Sequence, residues 1–201
     1  MGIEEHRLLL LRHGETEWSV SGRHTGRTDV ELTEAGRDQA AAARPVLAGL
    51  APEHPLVVCS PRRRARATAE LAGLHVDEIC DDLAEWDYGG YEGLTTAQIR
   101  RTEPGWLIWT HGGAGGETVT QVGARADRMV ARALRELTSR DVVFVGHGHF
   151  CRALIARWLE LPVTAGAGFG MPVASVAVCG FEHGGRQLRA LGLTGSKAGR
   201  L

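Results

Sequence analysis

Charged and polar side chains follow three apolar segments of this 201-residue chain, each at the point where a buried strand should end. Arg12 and His13 follow four leucines, Ser60 follows Leu-Val-Val-Cys, and His147 follows Val-Val-Phe-Val-Gly. Ligands of open parallel sheets bind beyond the carboxyl ends of the strands, so neighbouring parallel strands would bring these residues together. The alternative for Arg12 and His13 is that they are only the polar end of a core strand.

The residue types at these points suit a doubly charged anion. Arginines crowd the segment after Ser60, where the N-terminus of a helix would add its own positive field. Lys197 is the only lysine among 23 basic residues, so an anion site must use Arg or His. Arginine offers a planar fork of donors that matches phosphate. With acidic residues following at 81–92, the pattern predicts a phosphoryl site with a nucleophile and an acid.

The elements that would position these residues alternate between strand and helix. Apolar runs predict strands, and residues at helical spacing together with capping signals predict helices. The predicted strands are 7–12, 56–59, 74–80, 142–145 and a hairpin of 174–181 with 187–193. The predicted helices are 33–50, a helix capped by Ser60 with Pro61 at its first position and ending near Gly73, a short helix from Thr95, 118–138, and one through Leu154, Ile155 and Trp158 that Pro162 stops.

This alternation predicts an α/β fold with three layers: a mostly parallel sheet, helices on both faces, and an antiparallel edge strand. One domain should span 1–201, with a loose tail from about 195 to 201. The segment 14–32 is expected to be a long functional loop, and the segment carrying Trp106, Trp109 and the run Gly112–Gly116 to be flexible.

Composition narrows the functional class. The chain is 43% hydrophobic with a formal net charge of −1, which predicts a globular protein that binds neither nucleic acid nor membrane. No apolar run is long enough to span a bilayer, and the start of the chain is unlike a signal peptide. Four widely spaced cysteines, three in apolar runs, indicate reduced thiols and a cytoplasmic location.

Several motifs occur in register along the chain, and together they resemble the histidine phosphatase (phosphoglycerate mutase-like) superfamily. The motifs are Arg-His-Gly-Glu-Thr at 12–16, Gly-Arg-x-x-Gly-x-x-Asp-x-x-Leu-Thr-x-x-Gly at 22–36, Ser-Pro-x-x-Arg-Ala-x-x-Thr-Ala at 60–69, Leu-x-Glu-x-x-x-Gly-x-x-Glu-Gly at 83–93, Gly-Glu-Thr at 116–118, His147-Gly148 and Arg152-Ala153. The match runs from about residue 7 to residue 154.

The resemblance implies a catalytic role for five residues. His13 is expected to be the nucleophile that becomes phosphohistidine, with its second nitrogen held by a backbone carbonyl. Arg12 and Arg64 would hold the phosphoryl oxygens, and a protonated His147 would join them. Glu85 would protonate the leaving oxygen. An acidic pH optimum follows if Glu85 and His147 must both be protonated.

The substrate pocket is expected to include Ser19, Thr25, Gly26, Gly148 and Trp86. Trp86 should also form an aromatic wall with Tyr88, Tyr91, Trp106 and Trp109. His149 stands where the family has a small residue and is expected to edge the pocket, and the run Gly112–Gly116 is either a mobile lid or a plain loop. Arginines 62, 63 and 66 are expected on the helix surface. No metal or other cofactor is expected.

Three departures favour a phosphatase over a cofactor-dependent phosphoglycerate mutase. Trp86 stands where mutases carry Arg, Thr95 and Thr96 replace an Asn-Lys pair, and only 22 residues separate Gly93 from Gly116. The layout resembles bacterial broad-specificity acid phosphatases, with sugar bisphosphatases as close rivals. The non-enzyme alternative is an inactive phosphate-binding regulatory module. The expected partners are small phosphate esters and, as one assembly, a second copy of the chain.

Overall fold

The computed structural model describes residues 5–195, in which six strands form one mixed sheet. The strands lie in the order β3-β2-β4-β1-β5-β6. Their bounds are β1 Leu8–Arg12, β2 Leu56–Cys59, β3 Glu78–Ile79, β4 Val142–Gly146, β5 Val176–Glu182 and β6 Gly185–Leu193. Of the loose tail predicted at 195–201, all but Gly195 lies outside the described residues.

Seven α-helices connect these strands within the described residues. They are α1 Glu17–Val20, α2 Glu34–Leu50, α3 Arg63–Leu71, α4 Thr96–Ile99, α5 Ile108–His111, α6 Val119–Glu136 and α7 Gly148–Trp158. Short 3-10 helices cover Asp81–Leu83 and Val163–Gly168. Between residues 5 and 195, no helix is both long and apolar enough to cross a membrane.

The leucines of β1 bury both faces of the sheet. Leu8 and Leu10 belong to one core with residues of α6 and α7, while Leu9 and Leu11 belong to a second core with residues of α2 and α3. Successive side chains of a strand point to opposite faces, so a strand covered by helices on both sides must be apolar throughout. The predicted three-layer architecture is therefore confirmed.

Parallel pairing aligns the carboxyl ends of three strands. β4 lies between β1 and β2, with Arg12 opposite Gly146 and Cys59 opposite Val145. The ladder continues one residue further, because the His13 N–H donates to the Gly146 carbonyl at 3.0 Å and the Ser60 N–H to the Val145 carbonyl at 2.9 Å. The predicted meeting of the three polar strand ends is thus confirmed.

The other side of the sheet is antiparallel. β5 pairs antiparallel with β1, and β6 pairs antiparallel with β5 across the turn at 183–184. The predicted hairpin and the antiparallel edge are both confirmed. Helix α2 also begins as predicted, because the Thr33 hydroxyl accepts a hydrogen bond from the Gly36 N–H at 2.9 Å.

Two local predictions around α3 are wrong. The helix starts at Arg63 rather than at Pro61, and it has no side-chain cap because the Ser60 hydroxyl is bonded to His147 instead. The strand predicted at 74–80 shrinks to Glu78–Ile79 at the sheet edge.

Two segments predicted to be irregular are more ordered than expected. The loop 14–32 contains α1, which begins with a capping box between Thr16 and Ser19. Trp106 and Trp109 are buried, with Trp109 inside α5, so their segment is part of the core rather than flexible.

The run Gly112–Gly116 is a packed loop and not a lid. A Cβ atom on Gly113 or Gly116 would lie 2.4 or 2.2 Å from the Asp87 carbonyl oxygen. The Gly90 N–H also donates to the Ala114 carbonyl at 2.7 Å. The glycines are thus explained by the close approach of two backbones.

Two glycines of α2 provide a matched test of backbone contact. A Cβ on Gly36 would lie 2.1 Å from the Glu15 carbonyl oxygen, whereas one on Gly49 meets nothing within 4 Å. We expect Gly36→Ala to lower the free energy of unfolding by about 1–3 kcal/mol or more through overpacking. Gly49→Ala should raise it by about 0.5–1 kcal/mol because alanine restricts the unfolded chain. Urea unfolding measures both, and equal effects would contradict this packing.

Candidate active site

His13 is fixed at the end of β1 with one ring nitrogen occupied. Its Nδ1 lies 2.6 Å from the Gly14 carbonyl oxygen, and the side chain is 5% exposed. A carbonyl can only accept a hydrogen bond, so Nδ1 carries the proton and Nε2 keeps its lone pair. The Gly14 N–H in turn donates to the Thr68 hydroxyl at 3.0 Å, which ties this turn to α3. His13 therefore has the tautomer that a nitrogen nucleophile needs.

Two guanidinium groups lie beside His13 with donors to spare. Arg12 donates from Nη1 to the Met171 carbonyl at 2.6 Å, and Arg64, which is fully buried, donates to the carbonyls of residues 25, 26 and 28. Among the described residues, the Nε of each is buried without a partner. A buried donor without a partner is costly, so these groups are prepared for an anion.

A carboxylate holds the loop that positions Arg64. Glu92 accepts from the N–H groups of Gly26 at 2.8 Å and Thr28 at 3.0 Å. The carbonyls of this same loop accept hydrogen bonds from Arg64, so the position of the loop fixes the orientation of the guanidinium. This explains the second Glu of the Leu-x-Glu-x-x-x-Gly-x-x-Glu-Gly motif.

His147 is bonded across the sheet to Ser60. Its Nε2 lies 2.7 Å from the Ser60 hydroxyl, which also accepts from the Arg62 N–H at 3.3 Å. If the hydroxyl donates its own proton to Nε2, the proton of a neutral His147 lies on Nδ1. That Nδ1 is buried with no partner among residues 5–195, and the rings of His13 and His147 are 5.2 Å apart. His147 can therefore donate without being charged.

The Glu85 carboxylate is held by three backbone donors. One oxygen accepts from Trp86 at 2.9 Å and Phe150 at 2.8 Å, and the other accepts from His149 at 3.0 Å. Two of these donors belong to the first turn of α7, where N–H groups have no partner within the helix. This arrangement points a nearly buried carboxylate at the site of His13, and both line the same cavity.

Burial and positive charge keep the site histidines neutral. Desolvation, then Arg64 and Arg12, lower the pKa of His13 well below its usual value. Desolvation, then Arg64, lower the pKa of His147 well below its usual value too. In the free protein, burial beside an arginine therefore disfavours a second cation at His147, and a protonated His147 around a bound phosphoryl group stays a prediction.

A cavity of about 230 Å³ opens above these residues. Its lining contains most of the predicted site, although Arg64 and His147 are fully buried and do not line it, and it also contains several residues that sequence patterns do not place there. The lining residues are Arg12, His13, Thr16, Ser19, Gly22, Arg23, His24, Thr25, Glu85, Tyr88, Gly148, His149 and Arg152. The cavity thus carries a nucleophile, cationic donors and a carboxylate, which together suit transfer of a phosphoryl group.

Comparison with known proteins agrees with this chemistry. Residues 8–194 match the family described as "Histidine phosphatase superfamily (branch 1)". The chain belongs to the histidine phosphatase superfamily. The resemblance noted in the motifs is therefore confirmed, together with the expected phosphoglycerate mutase-like fold.

Individual relatives of this histidine phosphatase include several named phosphatases. An acid phosphatase of Mycobacterium tuberculosis is 62% identical over 97% of this chain and 96% of its own length. A sedoheptulose 1,7-bisphosphatase of Saccharomyces cerevisiae is 36% identical over 78% of this chain and 69% of its own. A solved structure of a Mycobacterium tuberculosis open reading frame product has a TM-score of 0.94 at 62% identity, covering 95% of this chain and 99% of that one. These relatives identify the protein as a phosphatase.

Two predicted contacts of the histidine phosphatase pocket are wrong. Trp86 is fully buried, with its ring nitrogen donating to the Glu117 carbonyl at 2.9 Å, and it does not line the cavity. Gly26 does not line it either, because its N–H is used by Glu92 and a Cβ there would lie 2.5 Å from the Trp86 carbonyl oxygen. Of the predicted aromatic wall, only Tyr88 reaches the cavity, since the other rings pack in the core.

The remaining predicted pocket residues lie at the cavity. Ser19, Thr25 and Gly148 line it, and a Cβ on Gly148 would lie 3.1 Å from the Arg12 guanidinium, so a larger residue there would displace that group. His149 edges the pocket as expected, with its Nδ1 2.7 Å from the Tyr88 hydroxyl.

Motif reading missed several neighbours of the site. Arg62 was assigned to the surface, but it is half-buried and its Nε has no partner in the described chain. His24 and Arg23 lie in the long loop and line the cavity, and no motif marked them as site residues. Arg152 was part of a quoted motif without an assigned role, and that motif was the available signal.

The predicted site does not lie in a second, larger groove of the protein. That groove, of about 1000 Å³, runs along α3 and contains none of the predicted site residues.

Across residues 5–195, no group of three or more His, Cys, Asp and Glu side chains could hold a metal ion. That the enzyme needs no cofactor stays a prediction.

The lowered pKa of His13 can be tested by NMR. From pH 7 to pH 5 the ring nitrogens of His13 should keep the signals of a neutral, Nδ1-protonated imidazole, whereas histidines of the urea-unfolded chain titrate near pH ~6.5. Since the unfolded chain then binds the extra proton, the free energy of unfolding should also fall as the pH is lowered through this range. Assignment comes from the spectrum of His13→Asn. Titration of folded His13 near the unfolded value would contradict the proposed electrostatics.

Proposed function

We propose that this enzyme hydrolyses small phosphate monoesters through a phosphohistidine formed on His13, without a metal ion. The observation that carries the proposal is the fixed tautomer of His13 between Arg12 and Arg64, whose buried Nε–H groups lack partners among the described residues. Two permanent positive charges at this position can stabilise the three phosphoryl oxygens of the transition state.

In the first step, the lone pair of His13 Nε2 attacks phosphorus while the bond from phosphorus to the ester oxygen breaks. The ester oxygen takes the electron pair of that bond and a proton from Glu85. Arg12, Arg64 and the neutral Nδ1–H of His147 hold the phosphoryl oxygens throughout. The alcohol leaves, and a phosphohistidine and an ionised Glu85 remain.

In the second step, water attacks the phosphohistidine. The Glu85 carboxylate takes a proton from the water as its oxygen bonds to phosphorus. The bond from phosphorus to nitrogen breaks, and its electron pair returns to Nε2 of His13. Inorganic phosphate leaves, and both residues regain their starting protonation.

The cavity limits the alcohol part of the substrate. A volume of about 230 Å³ suits a metabolite of a few carbons and not a polymer. Part of the wall consists of neutral polar groups: burial lowers the pKa of His24 to about 4, and the Tyr88 hydroxyl lies within hydrogen-bond distance of His149. These groups favour an alcohol that carries hydroxyls. The named activity of the acid phosphatase relative supports the same class.

A sugar bisphosphatase is the second candidate. Arg23 and Arg152 add positive charge to the cavity wall, which favours a substrate with a second anionic group. The sedoheptulose 1,7-bisphosphatase relative supports this candidate.

We further propose a cytoplasmic enzyme that can pair with a second copy. Free thiols at Cys59, Cys80, Cys151 and Cys179 support a reducing compartment. For pairing, the edge strand β3 offers Ile79, which is 47% exposed.

Replacing Glu85 by Gln tests its role as the acid. The variant keeps the shape of the side chain but has no proton to give, so kcat/KM for alkyl phosphates should fall by about 10²–10⁴-fold. Esters with good leaving groups, such as 4-nitrophenyl phosphate, need less protonation and should lose much less. kcat/KM is the proper measure because it excludes hydrolysis of the phosphohistidine. Equal losses for both ester classes would contradict the acid role.

A phosphate-release assay with EDTA tests the reaction and ranks its substrates. The panel contains sugar phosphates, sugar bisphosphates, aryl phosphates and 3-phosphoglycerate, with His13→Ala as the control. We expect release from several esters, unaffected by EDTA and lost in His13→Ala. Preference for bisphosphates would select the second candidate. Isomerisation of 3-phosphoglycerate on adding 2,3-bisphosphoglycerate, without phosphate release, would identify a mutase and refute the proposal.

A further inference from the structure

A buried arginine outside the cavity contacts the chain segment that carries Glu85 and one of the residues that hold its carboxylate. Arg125, on α6, is 7% exposed and does not line the cavity. Its Nε and Nη2 donate to the two carboxylate oxygens of Glu117 at 2.9 and 2.7 Å. This fork-to-fork pairing fixes the plane of the guanidinium.

The remaining donors of Arg125 all reach the chain segment that carries Glu85. Nη1 donates to the carbonyls of Asp82 at 3.0 Å and Ala84 at 2.6 Å, and Nη2 donates to the carbonyl of Glu85 itself at 3.4 Å. A guanidinium has five N–H donors, and every one is now used. Lysine, with three donors around a single point, could not reproduce this pattern.

The Arg125 guanidinium also contacts Phe150, one of the residues that hold the Glu85 carboxylate. Its central carbon lies 3.9 Å from the ring centre of Phe150, and the Phe150 N–H donates to Glu85 at 2.8 Å. Arg125 therefore packs against α7 as well as against the segment before Glu85. The backbone of Glu85 and one of the donors to its carboxylate are both held against one rigid group.

Glu117 extends this support to the other side of Glu85. Its carboxylate accepts from the Asp87 N–H at 3.0 Å, and its carbonyl accepts from the Trp86 ring at 2.9 Å. Residues 82–87 are thus bonded to the Arg125–Glu117 pair both before and after Glu85. The Glu of the Gly-Glu-Thr motif has its explanation here.

We propose that Arg125, paired with Glu117, is the positioning residue of Glu85, and that it determines how well the enzyme protonates poor leaving groups. The proposal rests on the acid role of Glu85 in the proposed function. It predicts a selective defect: displacement of the Glu85 carboxylate slows substrates that need a proton and spares those that do not. A merely structural role for Arg125 would lower both rates together or neither.

The test compares kcat/KM for an alkyl phosphate and for 4-nitrophenyl phosphate in Arg125→Met, Arg125→Lys and Glu117→Gln. Misplacement of a catalytic group by about 1 Å can cost ~10²-fold, so we expect Arg125→Met to lose about 10- to 100-fold on the alkyl ester and little on the aryl ester. Arg125→Lys should keep the same selective defect, because it restores the charge but not the fork. Glu117→Gln should show the defect in weaker form.

Arg128→Met is the matched control. Arg128 lies on the same helix and donates to the Asp82 carboxylate in the same segment, but its side chain is 59% exposed and touches no carbonyl next to Glu85. We expect it to leave both rates unchanged. Circular dichroism and thermal unfolding confirm that each variant is folded, and if Arg125→Met does not fold, the comparison in Glu117→Gln decides.

Equal losses on both esters, or no loss on either, would overturn the positioning role of Arg125. Glu85→Gln separates this failure from a failure of the proposed function. If Glu85→Gln is itself insensitive to the leaving group, the acid role is wrong. If Glu85→Gln is sensitive and the folded Arg125 and Glu117 variants are not, only the positioning proposal fails.

Discussion

The hydrogen bond from His13 Nδ1 to the Gly14 carbonyl is the contact on which the rest of the site depends. At 2.6 Å it commits one nitrogen to the backbone and leaves the other with a free lone pair, as the proposed nucleophile requires. Position 14 requires a glycine, because a Cβ there would lie 2.2 Å from the Gly36 carbonyl oxygen. Without a side chain at this point, the backbone after β1 can turn tightly against α2. Thr68 then holds the Gly14 N–H, so three separate elements fix one imidazole tautomer.

Backbone groups also orient the charged side chains of the site. Arg64 is oriented by backbone carbonyls that Glu92 holds from behind, and Glu85 is oriented by backbone N–H groups of Trp86 and the first turn of α7. Backbone groups have no side-chain rotamers to change, so they fix the orientation of these charged groups more rigidly than other side chains would. The buried Nε–H groups of Arg12 and Arg64 have no hydrogen-bond partner among the described residues. A phosphoryl group would supply the acceptor oxygens that they lack.

The sequence predicted the strands that carry this site better than the residues that line its cavity. Buried strands ending in Arg12, Ser60 and His147 were readable because apolar runs of four or five residues have few alternatives in an α/β chain. Trp86 was misplaced because a tryptophan next to a catalytic residue can face the cavity or the core, and periodicity does not decide this in an irregular segment. The protonation state of His147 could not be predicted for a different reason: burial beside Arg64 lowers its pKa in the free protein, and that burial follows only from tertiary packing.

The fate of a phosphohistidine depends on access of water. A mutase must exclude water until the phosphoryl group returns to a second substrate, which requires a cover over the pocket. The run Gly112–Gly116 does not provide one, because its backbone is bonded to residues near Asp87 and contributes nothing to the cavity lining. Among the described residues, the aromatic rings that line the cavity are those of Tyr88 and the histidines. Residues 5–195 place neither a lid nor an apolar seal over His13, and this open geometry favours hydrolysis.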